Sequence, residues 1–142
     1  MSPRPKRRVS AAIGAIERRG RYLIGRRRAS GHLGGLWEFP GGKRKRGETW
    51  AACLKREIRE ELGVRIEVLD HLDSIRFRYS DRLIRLEVFR CIIVEGRPQP
   101  LGCDQLRWVW PSQLSRYEFP SANRRLIKRL ALGENSGRDL YT

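Results

Sequence analysis

Hydrophobic and polar positions alternate in short runs over most of this chain, and one segment switches to a helical period. Val9–Ile16 is small and apolar, and Arg21–Arg28 carries Tyr22, Leu23 and Ile24. Glu17–Gly20 lies between them, so the pair predicts a β-hairpin. A glycine-rich stretch, Gly31–Gly35, precedes Leu36-Trp37-Glu38-Phe39 and a turn at Pro40-Gly41-Gly42. Ala51, Leu54, Ile58 and Leu62 then recur at helical spacing, which predicts a helix from Thr49, whose hydroxyl can cap it, to a stop at Gly63. Further strands are expected at Arg65–Leu69, Ser74–Tyr79, Leu83–Glu95 and Leu106–Trp110. One helical turn is expected at Pro111–Leu114. A last helix, Ala122–Leu132, should be capped by Ser121 and bury Leu126, Ile127 and Leu130. Strands interleaved with two helices give an α/β class, a mixed sheet with helices packed on it.

The first helix carries the chemistry. Its apolar stripe must face the sheet, which leaves Glu57, Glu60 and Glu61 at the margin. Positions i, i+3 and i+4 share a helix face, so the three carboxylates point the same way. Clustered like charges are unfavourable unless a cation sits among them. Divalent ions that favour oxygen ligands, Mg²⁺ or Mn²⁺, are the natural candidates. A solvated helix with Arg/Glu pairs, such as Arg56 with Glu60, would explain the charges. It would not explain Gly42, Glu48 and Gly63 at their spacings.

Gly42, Glu48, Arg56, Glu57, Ile58, Glu60, Glu61, Gly63 and Val64 together resemble the signature of the Nudix hydrolases, G-x5-E-x7-R-E-U-x-E-E-x-G-U with U a bulky aliphatic residue. The resemblance covers nearly the whole chain. It implies the Nudix fold, a mixed β-sheet sandwiched between α-helices, in one domain over residues 9–133, with a basic arm at 1–8 and a polar tail at 134–142. It also implies cleavage of nucleoside diphosphate derivatives by water attack on phosphorus, supported by a divalent metal. Glu57, Glu60 and Glu61 would hold metal together with the backbone carbonyl of Gly41. Either Glu57 or Glu60 would serve as general base. Arg56 would orient a glutamate by a bidentate pair, and Glu48 would brace the helix entry.

Leu36–Lys43 and the closing segments Trp108–Leu114 and Phe119–Asn123 are similar to those of the MutT-like, 8-oxo-dGTP diphosphatase branch. By that resemblance Arg27, His32, Glu38, Phe39, Pro40 and Gly41 hold the nucleotide, and the Asn123 amide reads the base. Asp81 and Arg82 match a further base-contacting stretch, and a plain hairpin turn explains them equally. One departure stands out. The branch carries another metal-binding glutamate where this chain has Gly102, and the nearest carboxylate is Asp104.

The activity implied is hydrolysis of nucleoside triphosphates to monophosphate and pyrophosphate, with 8-oxo-dGTP or other oxidised nucleotides as substrate. A pyrophosphohydrolase for CTP or modified pyrimidines shares the signature. Removal of pyrophosphate from RNA 5′ ends is a third reading, and a non-catalytic base-reading module a fourth. The intact carboxylate set argues against the last.

Composition adds bounds. At 142 residues the chain suits one domain and, lacking any run of about 18 apolar residues, predicts no membrane span. The net charge of +15 comes mostly from arginines spread from end to end. Solvated faces account for this better than a nucleic-acid surface does. Cys53, Cys91 and Cys103 are an odd number without metal-type spacing, which fits free thiols in a reducing cytoplasm. A monomer is expected.

Overall fold

The first strand organises the molecule. In the computed structural model, which describes residues 7–31 and 33–133, β1 (Arg7–Arg18) runs parallel to β6 (Arg82–Glu95) along one edge. Its other edge is shared. Glu17 and Arg18 pair with β2 (Arg21–Arg26), whereas Ala11–Ile13 pair with β4 (Gly41–Lys43). β2 also pairs with β3 (Trp37–Glu38) and with β7 (Gln105–Val109), and β5 (Arg65–Arg78) closes the far edge on β6. The sheet is mixed, as expected.

β1 takes in Arg7 and Arg8, residues the sequence reading left in the basic arm, because they continue the parallel ladder onto Arg82 and Leu83. The hairpin turn tightens to Arg19 and Gly20, both at positive φ. The segment expected as two strands, 65–69 and 74–79, is one strand. Asp70-His71-Leu72-Asp73 looks like an interruption in sequence, yet register shifts around His71 absorb it without breaking the pairing.

Helix α1 (Trp50–Leu62) starts where Thr49 Oγ1 accepts from Ala52 N at 3.1 Å, a cap worth about 1 kcal/mol. It ends at Gly63 in the left-handed conformation. Leu54, Ile58 and Leu62 are fully buried against Ala12, Ile16, Leu23 and Cys91, each burial contributing about 1.5–3 kcal/mol. Cys53 is buried in place of the expected Ala51, which is half-buried.

The opposite face of the sheet is covered by α2 (Arg124–Ala131) and the 3-10 turns Pro111–Arg116 and Ser121–Asn123. The last helix is shorter than expected and Ser121 does not cap it. Pro120 instead forces a tight turn in which Asn123 N donates to Pro120 O. Leu126 and Leu130 are buried, but Ile127 only partly. No helix among the described residues is long and apolar enough to cross a membrane. All three cysteines are free.

Candidate active site

The handover of the β1 edge from β2 to β4 creates the site. Where the two part, Pro40 O accepts from Gly14 N at 2.8 Å, and Gly41 and Gly42 turn in beside β1. Gly41 has φ +152°, and a Cβ there would lie 2.1 Å from Ala12 O, so only glycine fits. At Gly42 a Cβ would fall 2.3 Å from the Glu57 carboxylate carbon. The bare glycine backbone is what lets the middle of α1 lay that carboxylate directly on β4.

Arg56 fixes the carboxylate. Its guanidinium donates to both oxygens of Glu48, at 2.7 and 2.8 Å, and to Glu57 Oε1 at 2.8 Å, and also reaches Lys43 O at 3.2 Å. Glu48 additionally accepts from Lys45 N. Hydrogen bonds from Arg56 and Lys45 N hold the Glu48 carboxyl down at about 2. The bidentate pair is therefore with Glu48, which ties the loop before α1 to the helix, while the third donor of Arg56 aims Glu57. Glu60 points outward, its side chain more than half exposed and 3.6 Å from Arg56.

Glu61 lies deeper. Gly41 N donates to its Oε2 at 3.4 Å. Burial pushes its carboxyl up to about 8, with repulsion from Glu38 and then Glu57 adding to the effect. Glu38 is itself raised by burial, although Arg27 donates to it at 2.8 Å. Glu38, Glu57 and Glu61 thus form a cluster of carboxyl groups in which full ionisation is unfavourable unless a cation joins them. Among the described residues no three groups stand in a ready-made ligand cluster. The donor chemistry, hard carboxylate oxygens beside a glycine backbone, nevertheless suits Mg²⁺ or Mn²⁺. Sequence reasoning placed Glu38 only among nucleotide contacts. Nothing local in its sequence position signals that it comes close enough to Glu61 to repel it.

At Gly102, where a further glutamate was expected from the family pattern, a Cβ would sit 3.1 Å from Glu61 Cγ. Gly102 N instead donates to Glu61 O, docking the 96–102 loop on the end of α1. Asp104 does not take the missing place; it faces Arg26 at 3.9 Å on the surface.

A cleft of about 470 Å³ opens beside this carboxyl cluster; Glu38 lines it, whereas Glu57, Glu60 and Glu61 are outside its lining, Glu57 lying against Gly42 and Glu61 accepting from Gly41 N. Arg27, Glu38, Gly41, Gly42 and Lys43 line one end. Tyr79, Arg82, Leu86, Pro120, Ala122 and Asn123 line the other, with Phe39 between. The C-terminal segment is held there by Glu118 O, which accepts from Trp37 N, and by Phe119 stacked on Phe39 at 5.3 Å. Asn123 is buried, and its side chain makes no hydrogen bond among the described residues. The structure therefore brings Arg27, Glu38, Phe39, Gly41, Arg82 and Asn123 to one cleft. Pro40 is buried behind it, Asp81 is outside its lining, and His32 lies outside the described residues.

Residues 11–129 match the family model described as NUDIX domain. The chain is 35% identical to a CTP pyrophosphohydrolase of Escherichia coli, over 84% of this chain and 87% of that protein. It is 30% identical to the E. coli 8-oxo-dGTP diphosphatase, over 87% and 97%. The solution structure of the E. coli ORF135 protein superposes with a TM-score of 0.75 at 30% identity, covering 87% of this chain and 88% of that one. With the signature, the fold and these relatives in agreement, the chain belongs to the Nudix hydrolase family, in its MutT-like branch.

Proposed function

We propose that the protein is a nucleoside triphosphate pyrophosphohydrolase that acts on oxidised guanine nucleotides such as 8-oxo-dGTP. The observation that carries this reading is one cleft lined both by the buried Asn123 and by Glu38 and the Gly41–Gly42 backbone, against which Glu57 and Glu61 lie. A nucleotide would lie in it with phosphates at Gly41–Gly42 and base at Asn123. Glu57, Glu61 and the Gly41 carbonyl would hold a divalent cation, with Glu60 at the outer margin. When bound, such an ion supplies neutralisation of phosphoryl charge and activation of water.

The chain's own groups do the rest. Arg27 and Lys43 line the phosphate end and offset charge that builds on the phosphoryl oxygens. Water adds to phosphorus and the anhydride P–O bond breaks, giving monophosphate and pyrophosphate. The water's proton passes to a carboxylate, Glu57 or Glu60. Arg56 keeps Glu57 in place without touching substrate. At the other end, Asn123 offers a donor and an acceptor in a buried setting, where an unmatched base edge costs about 1–3 kcal/mol.

A second reading, hydrolysis of CTP or a modified pyrimidine triphosphate, is favoured by the 35% identical relative named for CTP. An amide can pair with either edge. Values of kcat/KM for 8-oxo-dGTP, dGTP, CTP and dCTP separate the two. Preference for 8-oxo-dGTP supports the first, and preference for CTP or dCTP replaces it with the second. The protein is taken to work on free nucleotides, as a cytoplasmic monomer.

A further inference from the structure

The arginines that look dispersed in sequence are gathered on one face of the sheet. Strands β5, β6 and β1 lie side by side, and their register sets out a grid. Arg76 is directly opposite Arg85, which pairs on its other side with Ser10. One step along, Arg78 is opposite Leu83, which pairs with Arg8. Partners in register share a face, so four of these six adjacent positions are arginine. Alternate residues of the same strands, Ala11, Ile13 and Leu86, line the nucleotide cleft on the opposite face.

All four arginines are exposed, and they line a concavity of about 560 Å³. Like charges directly opposite in a sheet are destabilising, and little here relieves them. Arg85 donates to Glu87, a buried carboxylate that already accepts from Ser74 and pairs with His71. Arg8, Arg76 and Arg78 have no ion pair among the described residues. Trp50 borders the grid, with the guanidinium of Arg85 at 5.3 Å from its ring and that of Arg44 at 4.2 Å. Arg44 extends the basic surface past the concavity.

Guanidinium forks match phosphate oxygens bidentately. Arg76 and Arg78, two residues apart on one strand, have their backbone positions about 7 Å apart and share a face. A concave surface without an exposed large apolar side chain does not suit a flat membrane. A surface that continues to Arg44, whose backbone N donates to Ser10 O, is longer than one free triphosphate needs. We propose that the Arg8/Arg76/Arg78/Arg85 grid is a second anion site, separate from the nucleotide cleft, which holds successive phosphates of a single nucleic-acid strand.

The test is fluorescence anisotropy with a labelled single strand of about 20 nucleotides, as DNA and as RNA, across a salt series. Four phosphate contacts predict a slope of log K against log[salt] near −2.8, from about −0.7 per contact. R76E/R78E should weaken binding at least about tenfold, and the milder R76Q/R78Q should flatten the slope by about 1.4. Both variants should keep the parent's thermal midpoint and its turnover of free nucleotide. Absence of binding at low salt, or binding unchanged in both variants, overturns the site. Inorganic tripolyphosphate or polyglutamate binding there more tightly than the oligonucleotide overturns the nucleic-acid assignment.

Discussion

Gly42→Ala isolates the placement of Glu57 from the stability of the fold. The Gly42 backbone is in a region open to any residue, so alanine brings no φ penalty of the kind expected at Gly41. The new methyl would meet the Glu57 carboxylate at 2.3–2.8 Å. Ordinary carbon contacts begin near 3.5 Å, so the carboxylate must retreat by about 1 Å. It is the far end of a flexible side chain and can do so cheaply, which leaves folding nearly intact. Leaving its position also strains the 2.8 Å bond from Arg56. A displacement of about 1 Å at a reacting centre can cost about 10²-fold in rate. The expected outcome is a thermal midpoint within a few degrees of the parent and kcat/KM for nucleotide hydrolysis lowered about 10²-fold, read as pyrophosphate release. An unchanged kcat/KM in a folded Gly42→Ala protein would show that the Glu57 carboxylate has no part in catalysis where it lies.

The same geometry yields three further expectations. Gly41→Ala should impair folding itself, because its methyl would strike the backbone oxygen of Ala12 at 2.1 Å and φ +152° disfavours any side chain; soluble yield and thermal midpoint should both fall, and a normal midpoint would contradict the close pairing of β4 with β1. Asn123→Ala should raise KM for the preferred nucleotide while changing kcat for an undamaged triphosphate much less; an unaltered ratio of 8-oxo-dGTP to dGTP turnover would make Asn123 structural. Glu48, whose carboxyl is held near 2 by Arg56, lends stability that is complete above its unfolded value of about 4.5 and is lost as pH falls toward about 2. Glu48→Gln should therefore flatten the stability profile in that acid window, and identical acid limbs for parent and variant would count against the Arg56–Glu48 tie.

What could be read in the chain and what could not divides by range. Helix α1, its cap at Thr49 and its stop at Gly63 are legible because they rest on local chemistry: a hydroxyl three residues from a free amide, a glycine at positive φ, an apolar stripe at 3.6 spacing. The glutamates are legible by type and spacing, but their division of labour is not. That Glu60 faces out, that Glu57 lies on Gly42 and that Glu38 confronts Glu61 depend on where β3 and β4 meet α1. The unbroken course of β5 has a similar origin. Asp73 is polar in sequence, yet it is buried and answered by Arg125 at 2.9 Å and Arg129 at 3.3 Å from α2, partners more than fifty residues away. The last helix starts later than its sequence suggests because Pro120 dictates a 3-10 turn where Ser121 looks like a cap. The arginine grid is invisible in composition, since only the pairing of three strands gathers it.

Hydrolysis of a nucleoside triphosphate by the parent and by Glu61→Gln, each titrated with Mg²⁺ from a chelator-treated baseline, bears most directly on the carboxylate pocket. The parent should show no turnover in chelator and a saturable return with Mg²⁺. Glu61→Gln, with its thermal midpoint preserved, should stay at least about 10²-fold slower at saturating metal. Turnover by the folded variant as fast as the parent, or turnover by the parent that ignores Mg²⁺, would contradict the assignment of Glu61 and its neighbours to a divalent cation.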